Sequence, residues 1–394
     1  MSRIGFEVRP PRDRMIGDRV RRGTRTAWLA LRTVVFAPGL LARRRLRRPP
    51  RVSEIRRILV VRTDRLGDMA LTTAALQDLR AHFRRATITV LAPAGPIALL
   101  EAHPAVDQRL ELPARGVPGA IVGAFDLAID FTPDAGLRGA RLVAATRAGV
   151  RTGFRAAGRE VFFNLPGPPA RRDRHVFDLN RELIAAIGAE PRADHPVLHL
   201  ADHERESARA RLAVLGAAAP RIAFHPGGHY PTQRWAPERH AEVIRVLTQR
   251  TGAACIVLEG PDDGALAARV CAATPDALRP GSLPIRGLMG LIAACDLFIG
   301  SNSGPLHIAG ALGIPTVSMM GPTDPARFAP RGPADRVVRV DLPCSPCSRG
   351  RCWHHTCLRA IEPAALVALA ETALAEQSLA DKAGADSAGR REAQ

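Results

Sequence analysis

The sequence predicts an α/β protein of two doubly wound, parallel-sheet domains facing each other across a cleft. Three features predict it. At 394 residues the chain exceeds one ordinary core and fits two domains of roughly 150 residues each. From residue 55, apolar β-branched runs alternate with stretches of helical periodicity, the pattern of parallel βαβ units. The alternation loosens over residues 195–220 and then restarts, so it runs once per domain. The chain therefore divides into an arm (1–54), a first domain (55–205), a second domain (206–376) and a disordered polar tail (377–394).

Charge sets the arm apart from the body. Residues 1–57 carry 17 Arg against four acids, Glu7, Asp13, Asp18 and Glu54, a balance of +13 within a chain total of +18. Nearly all cations are Arg, Lys382 being the only lysine, so Arg abundance alone says little about binding. Within the arm lies AWLALRTVVFAPGLLA (27–42), flanked by RVRRGTR and ARRRLRR. It is short of the ~20 apolar residues a spanning helix needs, and it is interrupted by Arg32 and Pro38-Gly39. No small-residue cleavage site follows, so it reads poorly as a signal peptide. A helix lying in the headgroup plane fits better, since anionic lipid attracts each nearby Arg by ~1 kcal/mol. Residues 1–52 are thus expected on an anionic membrane surface. The alternative is an extension whose apolar residues pack on the body. Nucleic acid is not expected, because the arm lacks interleaved aromatics and any binding motif.

The elements follow in order. RRILVVR (56–62) reads as a strand, LGDMALTTAALQDLRAHF (66–83) as a helix and TITVLA (87–92) as a strand. FDLAIDF (125–131) is the next strand, with a Gly- and Ala-rich helix near 136–147. After the loosened stretch come RIAFHPGG (221–228), a helix near 237–251, ACIVLEG (254–260) and a helix near 262–273. LFIGS (297–301), a helix from 304 and TVSMMG (316–321) continue the alternation. IEPAALVALAETALA (361–375) closes it, with Pro363 placed as helix starts allow. Ligands of such folds bind outside the carboxyl ends of the strands.

Three loops at those ends carry candidate chemistry. In RTDRLGD (62–68), Gly67 permits a tight turn and Asp68 begins the helix. An Asp there is a favoured cap; it is equally a carboxylate that the helix dipole keeps ionised, suited to act as a base. In FHPGGHYPTQRW (224–235), Gly227 and Gly228 would let backbone N–H groups approach a phosphate, with His225, Gln233 and Arg234 around them. In GSNSGPLHIAGALG (300–313), Ser301, Asn302 and Ser303 leave the strand, Pro305 suits the first helical turn, and the helix start behind Gly304 makes an anion site. His307 lies in the first turn, in reach of a phosphate oxygen or sugar hydroxyl. Last, CSPCSRGRCWHHTC (344–357) groups Cys344, Cys347, Cys352 and Cys357 with His354 and His355. That set can bind a metal or remain a reduced thiol cluster, since only one close-spaced pair is present. Cys255, Cys271 and Cys295 read as core.

Together these segments resemble glycosyltransferase family 9, the lipopolysaccharide heptosyltransferases. The likeness runs from ILVVRTDRLGDMALTTAAL through HPGGHYPTQRWAPERHAEVI to LFIGSNSGPLHIAGALGIPTVSMMGPTDP, roughly residues 56–375. The resemblance implies a GT-B fold of two Rossmann-like domains, the acceptor on the first and the nucleotide-sugar on the second. It implies an inverting, metal-independent transferase with Asp68 as catalytic base and no cofactor. Gly227, Gly228, Gln233, Arg234, Asn302, Ser303, Gly304 and His307 fall on the donor side; Gly67 and Asp130 are expected on the acceptor side. ADP-heptose is the implied donor and a lipid-linked core oligosaccharide the implied acceptor, which places the enzyme in the cytoplasm, peripheral to the inner membrane. Two positions depart from the family pattern. Asn302 stands where relatives usually carry Asp, and Gln233 where they commonly carry Lys.

Two other functions fit the same scaffold. A sugar-nucleotide epimerase or hydrolase would need an enclosed site with further acid–base groups, because fold does not fix chemistry. An inactive sugar-binding relative is suggested by Asn302 and Gln233, and opposed by the retention of Asp68.

Overall fold

The computed structural model describes residues 27–36, 50–215 and 220–392. Most of the basic arm, including Pro38-Gly39, lies outside them. What is described of it is α1 (residues 27–36), a helix docked on the first domain. Arg32 anchors it: the side chain is buried, and its Nε and Nη2 donate to the carbonyls of Ala157 and Ala135, both at 2.8 Å. Phe36 packs edge-on against Phe162.

The first domain is a parallel sheet of β1 (Arg57–Val61), β2 (Thr87–Ala92), β3 (Gln108–Glu111), β4 (Leu127–Asp130) and β5 (Val150–Gly153), ordered β3-β2-β1-β4-β5. α2 (Leu66–His82), α3 (Ala94–Ala98), α4 (Arg138–Ala145) and α5 (Val176–Ala186) accompany it. Ile58, Leu59, Val60 and Val61 of β1 are fully buried, as expected of a central strand covered on both faces. Helix α6 (Asp202–Leu212) follows the crossing into the second domain.

The second sheet holds β6 (Arg221–His225), β7 (Ala254–Val257), β8 (Leu297–Ser301), β9 (Thr316–Met319) and β10 (Arg336–Val338), ordered β10-β9-β8-β6-β7 and again parallel. Its helices are α7 (Pro237–Thr251), α8 (Gly264–Ala272), α9 (Ile285–Ala293), α10 (Gly304–Ala311), α11 (Pro325–Phe328), α12 (Thr356–Arg359) and α13 (Pro363–Glu392).

Strand order reverses between β1 and β4 in one sheet and between β6 and β8 in the other. Loops leaving such points diverge and open a crevice, where ligands of doubly wound folds bind. The loops after β1, β6 and β8 are the three read above as carrying chemistry. The domains meet through α2 and α10, and one apolar cluster runs through both, including Met69, Leu76, Leu306 and Ile308. The connection ties into the junction: the Leu198 N–H donates to the Ala311 carbonyl of α10 at 2.8 Å.

Two expected boundaries need correction. A division at 205/206 would cut α6, which packs on α9 and is tied to it by the Arg286 guanidinium, 2.7 Å from Oε1 of Glu204. The helix belongs to the second domain, so the junction precedes Asp202. The tail from 377 is not irregular either. α13 continues to Glu392, through a stretch that carries four alanines, Ala380, Ala383, Ala385 and Ala388, the best helix former.

Candidate active site

The crevice between the domains holds a cavity of about 220 Å³, bounded by the starts of α2 and α10, by His229–Gln233, by Pro322–Thr323 and by the loop at Ser348–Arg349. A larger cavity of about 480 Å³ lies behind α10, lined mostly by apolar atoms. Asp68 and the Ser303–Gly304 turn line the smaller one and not the larger, and Asp68 also borders an open crevice beside Thr63, Asp134 and Phe328.

Asp68 sits in the first turn of α2. It is not the cap; that position is Arg65, and no side chain caps the helix. The carboxylate is therefore free to face the crevice, with its side chain 22% exposed and Nη2 of Arg62 at 3.4 Å. Arg62 is wholly buried. Its Nε donates to Oδ1 of Asp64 at 2.7 Å and its Nη1 to the Phe131 carbonyl, while Nη2 has no hydrogen-bond partner. Burial raises the Asp64 carboxyl well above the usual range against the pull of Arg62, with the like charge of Asp68 adding to it. Asp68 thus has a guanidinium beside it that carries no competing bond from that nitrogen.

The opposing wall is the start of α10. Gly304 is required there, because a Cβ would lie 2.9 Å from Cβ of Leu66. Gly67 answers it from α2: a Cβ would lie 2.5 Å from the His307 ring. The two glycines let two helix starts touch, bringing their unsatisfied N–H groups to one cavity. Pro305 removes one such donor. His307 is buried; burial pushes its imidazole down to about 4 despite the Asp68 charge. Being neutral, it donates from Nε2 to Oδ1 of Asn302 at 3.1 Å. Asn302 therefore orients His307 and, through its amide nitrogen, contacts Oγ1 of Thr323 at 3.4 Å.

Gln233 reaches the same hydroxyl. Its Nε2 lies 3.3 Å from Oγ1 of Thr323, and its Oε1 accepts from the Tyr230 N–H at 3.1 Å. Gln233 and Asn302, the two positions expected to depart from the family pattern, are thus joined through one threonine. Arg65 of the first domain donates to the Tyr230 hydroxyl at 3.1 Å and lies over its ring, tying the domains together at the cavity rim.

Four expectations are corrected. Gly227 does not open the backbone to a ligand: the carboxylate of Asp263 fills its side-chain space, 2.1 Å from where a Cβ would stand. Gly228 is likewise covered by Gln233, and neither glycine lines the cavity. Arg234 is turned away, its Nε bonded to the Gly228 carbonyl at 2.9 Å and its Nη2 3.6 Å from Asp263. Asp130 does not meet an acceptor. It is fully buried in an ion pair with Arg159 and accepts from the Thr132 N–H at 3.0 Å, supporting the loop after β4. The cavity's cations are instead Arg65, Arg327 and Arg349. Sequence reasoning missed them, along with Tyr230 and Thr323. GPTDPARF, trailing the most specific motif, was the available pointer to Thr323 and Arg327.

The cysteine stretch forms a wall. The Ser345 hydroxyl donates to the Gly321 carbonyl at 2.5 Å, the N–H groups of Cys347 and Ser348 to the Pro322 carbonyl at 3.1 and 2.8 Å, and the Thr232 hydroxyl to the Arg349 carbonyl at 2.6 Å. Burial pushes the Cys357 thiol up to about 11, with Cys347, Cys344 and Cys352 adding to it. Among the described residues no group of three or more His, Cys, Asp or Glu is placed to hold a metal ion.

A carboxylate on one wall and a helix start on the other can serve group transfer from a diphosphate. Comparison with known proteins identifies the family. Residues 121–357, more than half of the chain, match the model of glycosyltransferase family 9 (heptosyltransferase). The chain is similar to lipooligosaccharide heptosyltransferase 2 of Haemophilus influenzae, 24% identical over 72% of this chain and 88% of that protein. It is also similar to lipopolysaccharide heptosyltransferase 2 of Escherichia coli K12, 25% identical over the same shares. Among solved structures, a family 9 glycosyltransferase of Veillonella parvula superposes with a TM-score of 0.72 at 22% identity, over 82% of this chain and 98% of that one. E. coli ADP-heptose LPS heptosyltransferase II does so with 0.68 at 21%, over 82% and 99%. The fold is thus GT-B. The chain belongs to glycosyltransferase family 9, the heptosyltransferase family, and is a glycosyltransferase.

Proposed function

We propose that this enzyme transfers heptose from ADP-heptose to a lipid-linked oligosaccharide of the lipopolysaccharide core, with inversion at the anomeric carbon. The observation that carries the proposal is the single cavity shared by Asp68 and the start of α10. The acceptor hydroxyl enters beside Asp68, which takes its proton as the oxygen attacks the anomeric carbon. The bond from that carbon to the diphosphate breaks on the opposite side. General-base help of this kind contributes ~10²–10⁴-fold. The charge that develops on the leaving diphosphate meets the N–H groups of α10 and the guanidinium groups of Arg327 and Arg349, fixed before reaction and needing no rearrangement. Arg62 sets its guanidinium 3.4 Å from the Asp68 carboxylate. Gln233 and Asn302 shape the donor side through Thr323, and Gly67 and Gly304 hold the two walls together.

The lipid acceptor gives the arm its purpose. On α1, Leu31, Val34 and Val35 share one side and are 61–69% exposed, with Trp28 at its edge over Arg32 and 56% exposed, while Arg32 turns inward and fixes the helix to the loops at Ala135 and Ala157. An exposed apolar stripe between Arg-rich flanks suits the surface of an anionic membrane. The anchoring loop at Ala135 adjoins Asp134, which lines the crevice near Asp68, so α1 would hold the acceptor side toward the lipid. No helix among the described residues is long and apolar enough to cross a membrane. We place the enzyme in the cytoplasm, peripheral to the inner membrane.

A panel of nucleotide-sugars tests the donor. Thermal stabilisation and transfer should be strongest with ADP-heptose; preference for a uridine or guanosine sugar would overturn that assignment.

A further inference from the structure

The loop that leaves β4, residues 131–137, has four of its carbonyls held by buried guanidinium groups. Nη1 of Arg62 donates to the Phe131 carbonyl. Nη1 of Arg159 donates to the carbonyls of Thr132 and Asp134, at 2.7 and 2.6 Å. Nη2 of Arg32 donates to the Ala135 carbonyl at 2.8 Å. Buried carbonyls need such partners, and past the end of β4 the sheet no longer supplies them.

Arg32 differs from the other two because it comes from α1, outside the domain. Its Nε also donates to the Ala157 carbonyl at 2.8 Å, two residues before Arg159. One guanidinium thus holds both the loop and the turn from which Arg159 reaches it. Gly158 in that turn has φ +79° and lies under α1, where a Cβ would stand 3.2 Å from Cα of Thr33. Burial and the like charge of Arg159 push the Arg32 guanidinium below its ordinary value, while Glu160 and Asp134 act against them. A cation is costly to bury unless its bonds are made good, so α1 does more than rest on the surface. Pro133 and Asp134 of the held loop line the open crevice of about 430 Å³ that Asp68 and Thr63 also border. Arg62 links the two sides, bonding Phe131 and setting Nη2 3.4 Å from Asp68.

We propose that α1 is a working part of the acceptor site. Arg32 is a positioning residue that fixes the loop at 131–136, and through it the Pro133–Asp134 wall against which the acceptor sugar lies beside Asp68. The inference rests on the acceptor side assigned above. It goes beyond a membrane tether, because it holds for an acceptor with no lipid attached. The Asp134 carboxylate, its side chain 63% exposed, is the group this wall offers to a sugar hydroxyl. Its Oδ1 accepts from the Gly136 N–H at 2.7 Å, a bond within the loop that sets the direction of Oδ2.

Steady-state transfer by the full chain from ADP-heptose to a soluble, lipid-free fragment of the core oligosaccharide reads the acceptor site apart from any lipid contact. Arg32→Met keeps an apolar stem and removes the donors. KM for the fragment should rise roughly tenfold, the low end for hydrogen bonds from a charged group, with kcat and ADP affinity changed by less than about twofold. Arg32→Lys keeps the charge without the fork that spans Ala135 and Ala157, and should recover only part of the loss. Amide hydrogen exchange supplies a readout that does not depend on the acceptor. Peptides covering residues 131–137 should exchange faster in Arg32→Met, with β1 and β2 unchanged. An unchanged KM, a KM that rises only in step with lost ADP affinity, or unchanged exchange at 131–137 would overturn the proposal. Faster exchange in Arg32→Met, when the wild type transfers nothing to the fragment, would instead remove that oligosaccharide as the acceptor and leave the anchoring in place.

Discussion

Thr323 joins the two residues that the sequence reading expected to depart from the family pattern. That pattern, as the resemblance implies it, would pair a Lys at 233 with an Asp at 302, one charge of each sign that Gln233 and Asn302 do not carry. The two amides meet at the Thr323 hydroxyl, a neutral bridge in place of a charged pair. Restoring one charge alone leaves it unbalanced in a half-buried site, a strongly unfavourable change. Gln233→Lys and Asn302→Asp should therefore each lower kcat/KM by about tenfold, and the double variant should recover most of the loss. Such coupling is typical of side chains sharing a partner; additive losses in steady-state kinetics would show that the two positions act independently. Asn302 also fixes His307 through its amide oxygen. An aspartate there would set a second carboxylate beside a ring that burial holds neutral.

At the scale of elements, the central strands were legible because burial on both faces leaves continuous apolar runs in β1, β6 and β8. The edge strands were not. β3 is exposed and polar, β10 has three residues and β5 only four, too little pattern for periodicity to register. α5 and α6 fell beside or within the loosened stretch, since α6 buries only Ala208 and Leu212. The site divides the same way. Asp68 and the Ser303–His307 turn were readable because strand end, small residues and helix start are contiguous. Gly227 was misread because a glycine makes room for a neighbouring side chain as readily as for a ligand, and Asp263 lies far along the chain. Asp130 was misread because its partner Arg159 is distant in sequence. α1 yields a prediction of its own. Replacing Leu31, Val34 and Val35 by Ser should abolish binding to anionic vesicles in a co-sedimentation assay while leaving transfer to a soluble acceptor fragment intact. Undiminished vesicle binding would mean that other parts of the arm carry the contact.

Across the whole molecule, burial holds several imidazoles neutral. His103, His175 and His307 are pushed down to about 4, and His240 to about 3, from an ordinary 6.5. Burial is the main cause in each. Unfolding would return them to ordinary values, so below pH 6.5 the unfolded chain binds more protons than the native one. Their contribution is complete above about pH 6.5 and is lost as pH falls toward 4. Melting temperature should drop across that window, and a flat profile would mean these rings are solvated. His175 and His307 flank the α10 junction, so acid should loosen the domain interface as well as the core.

That interface is where catalysis is assigned, with Asp68 brought from one domain to a diphosphate held by the other. Asp68→Asn keeps the shape of the side chain and removes its charge. Transfer by this variant, measured alongside ADP affinity, separates the base from the binding site. The expected result is a fall in kcat of ~10²–10⁴-fold with ADP affinity changed by less than about twofold. Turnover at the wild-type rate would contradict the assignment of Asp68 as the base, as would a loss explained wholly by weaker ADP binding.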